Sequence, residues 1–355
     1  GSHFSKIVLN PGQIQTYFTV FRFHLMDRPI LALFFPKEPP TFILPELENA
    51  KVARLSYPAH IFSYGEDPTT WSSIFRSAIQ ATSLEPKVRV GLEPRQMRYL
   101  ELSLLESVSY QFKFSSAEPL ITSIRIKKDK EELSCMRKAV EIAQNALRAT
   151  IPTIKPGVTE EDIAAELTLQ LLRGGSEPEM PFTPIVSAGP NSANPHATPS
   201  HRKFQPGDCL VIDWGATYDG YISDITRTFA IEKIDSEMEH IGHIVAEANA
   251  AARAIARPGV PAEQVDKAAR QVIEDAGYGK YFIHRTGHGI GLEGHEEPYI
   301  RSGNTLPLEP GMTFTIEPGI YLPDRNGVRI EDNVVITPDG SECLTNLPRE
   351  IIVLG

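Results

Sequence analysis

The chain has 355 residues, room for two domains, and its 41% hydrophobic and 23% charged residues are ordinary for a folded globular protein. No apolar run approaches the length of a membrane span, and a net charge of −10 argues against a nucleic-acid surface, so neither partner is expected and a cytoplasmic location fits. Cys135, Cys209 and Cys343 are few, odd in number and far apart, which argues against a disulfide framework.

Gly1-Ser2-His3 reads as the remnant of an expression tag. Residues 4–122 alternate strand-like and helical runs, as a small α/β domain does. Leu31 to Phe35, Thr41 to Leu44 and Val88 to Leu92 read as strands, and Trp71 to Ala81 and Gln96 to Leu105 as helices. No catalytic constellation lies among them. Between Ile121 and Lys130 the chain turns basic, with Arg125, Lys127, Lys128 and Lys130, which we read as the solvated start of a second domain over 123–355. A long helix follows, with Leu133, Met136, Val140, Ala143 and Leu147 at helical spacing.

The second domain contains an internal repeat. Pro156-Gly157-Val158 recurs as Pro258-Gly259-Val260, an offset of 102 that also carries Ile163 onto Val265, Leu171 onto Ile273 and Gly175 onto Gly277. Each copy follows a long amphipathic helix and leads into strand-like sequence. Two helices and then antiparallel strands, twice over, predict an α+β domain of pseudo-twofold symmetry. Its curved antiparallel sheet should be covered by helices on one side, with the site at the seam.

Val211 to Thr228 reads as a β-hairpin turning at Asp219-Gly220, where both central positions need positive φ. That register puts Thr226 opposite Asp213 and Gly215 opposite Asp224. Asp213 and Asp224 become diagonal neighbours on one face, with Cα atoms about 7–8 Å apart. Two carboxylates so placed suit shared metal ions. Four further stretches hold ligand-type residues: Asn191 to His196, His284 to Pro298, Thr313 to Tyr321 and Gly327 to Asn333. Taken alone, Glu317 or Glu331 reads as a strand residue on a solvent face, and His288 as a core histidine. The glycines flanking His288 would let the backbone come close to a ligand. Together, two Asp, one His and two Glu form an oxygen-rich set. Its charge of −4 would be balanced by two divalent cations, Mn²⁺ or Co²⁺ by preference, with Zn²⁺ an alternative.

The series Asp213, Asp224, His288, Glu317, Glu331 resembles that of the pita-bread metallopeptidases. It stands in the contexts Ile-Asp-Trp-Gly, Ser-Asp-Ile-Thr-Arg-Thr, Gly-His-Gly-Ile-Gly, Ile-Glu-Pro-Gly and Arg-Ile-Glu-Asp. The likeness covers residues 123–355. Ile14 to Phe21 is similar to part of the creatinase-type N-terminal domain, with Val20 where that pattern has glycine and the domain's first helix not apparent. Methionine aminopeptidases lack that domain, and creatinase lacks the five ligands. The resemblance therefore implies a peptidase for Xaa-Pro bonds in di- or oligopeptides, a prolidase or aminopeptidase P, forming a homodimer. A non-catalytic binding module of this fold would have no reason to keep all five ligands.

The resemblance also implies roles. Asp224 and Glu331 would bridge two ions, Asp213 would chelate one, and His288 with Glu317 the other. The nucleophile would be a hydroxide shared by the ions, with Glu317 moving its proton. His196 and His295 would hold substrate and oxyanion, and His284 and Tyr321 would line or support the substrate pocket. Arg329 and Thr226 would orient the carboxylates. A dipeptidase also needs a cation for the free carboxylate of proline. Prolidases often place arginine just after the His-Glu-x-Pro stretch. Tyr299 occupies that position here, leaving Arg301 as the nearest candidate in sequence, with Arg329 or an N-terminal-domain arginine of a partner chain as alternatives for contacting the substrate.

Overall fold

A computed structural model describes residues 4–82, 89–108 and 112–355, and the chain divides into two compact units, Gly1–Ile124 and Arg125–Gly355. In the first unit a six-stranded sheet runs in the order His60–Tyr64, Thr41–Pro45, Leu31–Phe34, Lys6–Leu9, Arg89–Leu92, Lys113–Ser116. Lys6–Leu9 is the hinge of this topology, antiparallel to Leu31–Phe34 and parallel to Arg89–Leu92. Its four residues give too short a pattern to stand out in the sequence. The strands expected at Leu31 and Thr41 are present, and that at Val88 is present from Arg89 onward, Val88 itself lying outside the described residues. The helix Trp71–Ala81 is as expected. It buries Phe75, Ala78 and Ile79 against Val8, Leu31 and Ile43 of the sheet. The next helix runs Tyr99–Val108, later than read, because Gln96 and Met97 are spent in a turn on the Glu93 carbonyl. Val20 closes the short helix Gln13–Thr19 at φ 65°, a left-handed cap that suits the glycine of the family pattern and strains a β-branched residue.

The second unit is built twice from one plan. Lys130–Thr150 and Glu160–Arg173 are the helices of the first half, Ser236–Ile255 and Ala262–Asp275 those of the second. The offset of 102 carries Glu160–Arg173 onto Ala262–Asp275 end to end. It also pairs positive-φ glycines, Gly157 (85°) with Gly259 (82°) and Gly175 (97°) with Gly277 (83°). In each half the helices bury their apolar faces on that half's strands. Val140, Leu147, Ile163 and Leu167 meet Ile212, Trp214 and Phe229, while Ile241, Val245, Val265 and Ala269 meet Phe314, Ile316 and Val334.

The single curved sheet expected from the repeat is divided in two. The first sheet runs Ile352–Leu354, Ile225–Ile231, Cys209–Trp214, Ile185–Ala188, and is antiparallel except for its parallel edge strand Ile352–Leu354. The second runs Glu296–Ile300, Gly287–Gly289, Thr313–Ile316, Asp332–Ile336, Ser341–Cys343, all antiparallel. The halves are stitched by an antiparallel bridge in which Glu331 N donates to the Thr226 carbonyl at 3.0 Å. Arg227 reinforces the seam. Its guanidinium donates to the Thr226, Glu331, Leu347 and Pro348 carbonyls and pairs with the fully buried Asp332 at 2.7 Å.

The basic segment is only partly solvated, contrary to expectation. Arg125 and Lys128 are each 6% exposed, and both pair with Glu296, with Arg125 also reaching Glu293 at 3.3 Å. Two buried cations thus hold the residue that follows His295. Their type looked solvent-facing in the sequence, where partners some 170 residues away cannot be seen.

Candidate metal centre

The hairpin supplies two carboxylates. Thr226 pairs with Asp213 and Tyr221 with Tyr218, the register that a turn at Asp219-Gly220 requires, and those two residues have φ 48° and 80°. The ladder breaks between these pairs, so Gly215 does not face Asp224 in it. Ala216 N donates to the Ser223 hydroxyl oxygen at 3.0 Å, and Asp224 N donates to the Asn333 side chain at 3.2 Å. Asn333 also donates its amide to the Asp224 carbonyl, clamping that peptide from the second half.

The other three come from the second half. His288 lies in Gly287–Gly289, Glu317 follows Thr313–Ile316, and Glu331 sits at the seam. The glycines beside His288 act differently from the expectation. A Cβ at Gly287 would lie 1.9 Å from the Thr315 carbonyl oxygen, and one at Gly289 would lie 2.3 Å from the Glu297 backbone. They admit neighbouring strands to close contact, and so fix the imidazole.

Asp213, Asp224, His288, Glu317 and Glu331 line one cavity of about 790 Å³, together with His196, His284, His295 and Arg329. Asp224, His288 and Glu331 are buried, and each offers a ligand atom within 4.8 Å of the others. The His288 Nδ1 faces the Gly289 carbonyl at 3.1 Å, so it carries the hydrogen, and Nε2 turns a lone pair toward Asp224 Oδ2 (3.7 Å) and Glu317 Oε1 (3.3 Å). Burial and then the neighbouring His295 push the His288 pKa well below its usual value, so protonation does not relieve this meeting of acceptors. Burial, then Glu331, Asp213 and Glu317, push Asp224 well above the carboxylate range. Burial, then Glu317 and Asp213, do the same to Glu331. Glu317 rises to about 7, chiefly by burial. Among the described residues, none donates a hydrogen bond to the buried Asp213 Oδ1. Once its carboxyls ionise, a set whose inward-facing atoms are all acceptors, one of them orphaned, is chemically complementary to cations.

Arg329 is held by its own chain. Nε donates to Thr226 Oγ1 (3.0 Å), Nη2 to Asp213 Oδ2 (2.7 Å), and Nη1 to the Tyr321 hydroxyl (3.0 Å) and Pro195 carbonyl (3.3 Å). Thr226 in turn donates to Glu331 Oε2 at 2.7 Å. With its nitrogens so engaged, Arg329 is placed to position the carboxylates from the cavity wall. Tyr321 is 3% exposed and lies outside the cavity lining, which corrects its reading as a substrate contact. His284 Nδ1 must donate to the Arg285 carbonyl (2.7 Å), so Nε2 accepts from the Tyr321 hydroxyl (2.8 Å). Both ring nitrogens are occupied, and burial lowers the His284 pKa to about 4, so this histidine lines the site as a neutral group.

His196 and His295 are exposed at the cavity, and the His295 ring packs on His288 with centroids 4.1 Å apart. Glu160 steadies the loop that carries His196 by accepting from Ala188 N, Asn191 Nδ2 and the Ser200 hydroxyl. Arg301 does not line the cavity. It is exposed on the turn after Glu296–Ile300, and its Nη1 donates to the Ser302 carbonyl at 3.0 Å, so its nomination as carboxylate anchor is corrected. Sequence reasoning passed over Asn333, which reads as an ordinary polar strand residue, and Arg285, hidden among the histidines of its own motif.

Residues 134–338 match the model of metallopeptidase family M24. The chain belongs to that family. Residues 5–127 match the creatinase/prolidase N-terminal domain. This M24 chain is 35% identical over 339 residues to the Xaa-Pro dipeptidase of Lactobacillus delbrueckii subsp. lactis, covering 95% of the chain and 92% of that relative. Among solved structures, the prolidase of Thermococcus sibiricus superposes with a TM-score of 0.93 at 35% identity, covering 99% of this chain and 95% of that one. The X-Pro aminopeptidase of Thermotoga maritima gives 0.85 at 31%, covering 99% and 98%. The pseudo-twofold fold read from the repeat is thus the pita-bread fold of this M24 metallopeptidase.

The raised carboxylates make stability depend on pH when metal is stripped. A carboxyl whose folded pKa exceeds its unfolded value keeps its proton in the fold, so its contribution is lost as pH rises through the folded pKa. His284 and His288, with lowered values, act in the opposite sense, but only below the ordinary histidine value of 6.5. Above it, among the groups of this site, the carboxylates act alone up to about pH 8. The melting temperature in chelator should therefore fall from about pH 6.5 to about pH 8, and divalent cation should restore more stability at the higher pH. A flat or rising profile in calorimetry with chelator would count against this electrostatic account.

Proposed function

We propose that this M24 chain hydrolyses Xaa-Pro bonds as a dipeptidase, with two divalent cations held by Asp213, Asp224, His288, Glu317 and Glu331. Mn²⁺ or Co²⁺ suits the mostly oxygen set, with Zn²⁺ the alternative. We take residues 4–122 as the creatinase-like domain and 123–355 as the catalytic one, in a cytoplasmic homodimer. The observation that carries the reading is the convergence of these five side chains on one cavity with two exposed histidines beside them.

Bound cations would supply Lewis-acid polarisation of the scissile carbonyl and an acidified water. The chain does the rest. Glu317 takes the proton of the attacking water on a carboxylate oxygen and returns it to the departing proline nitrogen. His196 and His295 donate to the substrate and to the oxygen that gains charge. The Arg329 and Thr226 relay holds Asp213 and Glu331 in place. Proline suits such a site because the bond before it has no N–H, so a peptidase that clamps that hydrogen cannot use it.

A second reading, aminopeptidase P, is favoured by the likeness to the Thermotoga X-Pro aminopeptidase and by Tyr299 standing where prolidases often have arginine. The test compares Ala-Pro with Ala-Pro-Ala on metal-loaded protein. The dipeptidase reading expects cleavage of Ala-Pro only. Preferred cleavage of the tripeptide would replace it with the second reading.

A further inference from the structure

We propose that Arg285, stacked on Tyr299, is the cation that receives the carboxylate of the substrate's proline. The inference rests on the dipeptidase reading above. Arg285 and Arg329 are the arginines that line the cavity, and Arg329 is consumed by Asp213, Thr226, Tyr321 and Pro195. Among the described residues no hydrogen bond or ion pair is made by the Arg285 guanidinium, which lies over the Tyr299 ring, 4.6 Å from its centroid. A half-buried cation at the wall of a peptide-sized cavity, with its donors unspent, is equipped to bind an anion. Its charge also bears on Glu317 and His288, so it stands close to the chemistry.

The backbone at Arg285 is fixed on both sides. His284 Nδ1 donates to the Arg285 carbonyl, and Arg270 donates to the His284 carbonyl at 2.9 Å. Asp266 accepts from Thr286 N (3.1 Å) and Thr286 Oγ1 (2.8 Å). The Asp266 and Arg270 pair belongs to the helix Ala262–Asp275, so a rigid element sets where the guanidinium starts. Tyr299 sets where it ends, because a stack on an aromatic face leaves the in-plane N–H groups free to form a two-pronged contact with a carboxylate. The position that often carries arginine in prolidases here carries the platform for an arginine from the neighbouring strand region.

The test uses metal-loaded wild type, Arg285→Gln, Arg285→Lys and Tyr299→Leu on Ala-Pro and on Ala-Pro-amide, which lacks the carboxylate. The ratio of kcat/KM for acid over amide should fall about 10- to 100-fold in Arg285→Gln, mainly through KM, as loss of a charge-assisted contact implies. Arg285→Lys should recover part of it, and Tyr299→Leu should lower it less than Arg285→Gln does. Inhibition by L-proline should weaken in the same order, with L-prolinamide as the neutral control. If wild type cleaves Ala-Pro and Arg285→Gln lowers acid and amide equally, the Arg285 assignment is overturned while the dipeptidase reading stands. If wild type cleaves neither substrate, or only longer peptides, both fall together.

Discussion

Glu331→Gln and Asp224→Asn should each lose turnover by more than the roughly 10–100-fold that removal of an outer partner of a metal ligand costs. Each exchange keeps shape and removes one negative charge from a site where both carboxyls are buried and mutually repelling. Glu331 Oε2 already accepts the Thr226 hydroxyl, so an amide there must either turn its oxygen to Thr226 and present N–H groups to the cation, or abandon that bond. Two readouts separate a ligand from a merely structural residue. Metal content per chain should fall. In chelator near pH 8 the variants should melt higher than wild type, because an acid whose ionised form burial disfavours has been replaced by a neutral amide. Full metal loading with near-normal turnover would remove either residue from the proposed ligand set.

Arg329→Met should cost about 3–5 kcal/mol of stability, the range for removing one partner of a buried ion pair. Asp213 Oδ2, the Tyr321 hydroxyl and the Pro195 carbonyl would each lose a donor inside a site that is already rich in negative charge. Arg329→Lys should recover only part of this, since one ammonium cannot span four directions held by a planar fork. Denaturant unfolding of the three proteins measures the difference. A loss under about 1 kcal/mol in Arg329→Met would show that the site relaxes around the missing charge.

The parts of this molecule legible in advance were those whose cause is local. Asp219-Gly220 dictates its own turn and with it the Thr226–Asp213 register. The Pro-Gly-Val repeat marks two helices that start and stop at matching positions. What escaped depends on partners far along the chain. Lys128 is an ordinary surface residue until Glu296 is folded beside it, and Arg301 is a fair candidate until its strand carries it outside the cavity. The break in the hairpin ladder belongs to the same class. Asn333, more than 100 residues downstream, binds the outward-facing N–H and carbonyl of Asp224, a contact that the hairpin's own sequence does not contain.

The duplication has a chemical consequence for the cations. In the first half Trp214 pairs with Ile225, and in the second the equivalent Ile316 pairs with Asp332. Asp224 and Glu331 stand one residue before those partners, so they are the same structural position filled twice, once per half. Asp213 maps onto Thr315, two residues from Glu317 and hydrogen-bonded to it at 3.2 Å. His288 breaks the pattern: the register of its strand sets it opposite Thr315, and the residue opposite Asp213 in the first half is Ile185. The carboxylates are thus nearly symmetric and the imidazole is not. One cation seat would be all oxygen and the other would include nitrogen, so the two seats are inequivalent in hardness and in basicity. If both seats are filled as proposed, they would fill unequally, and the weaker of the two would set how much free metal turnover requires.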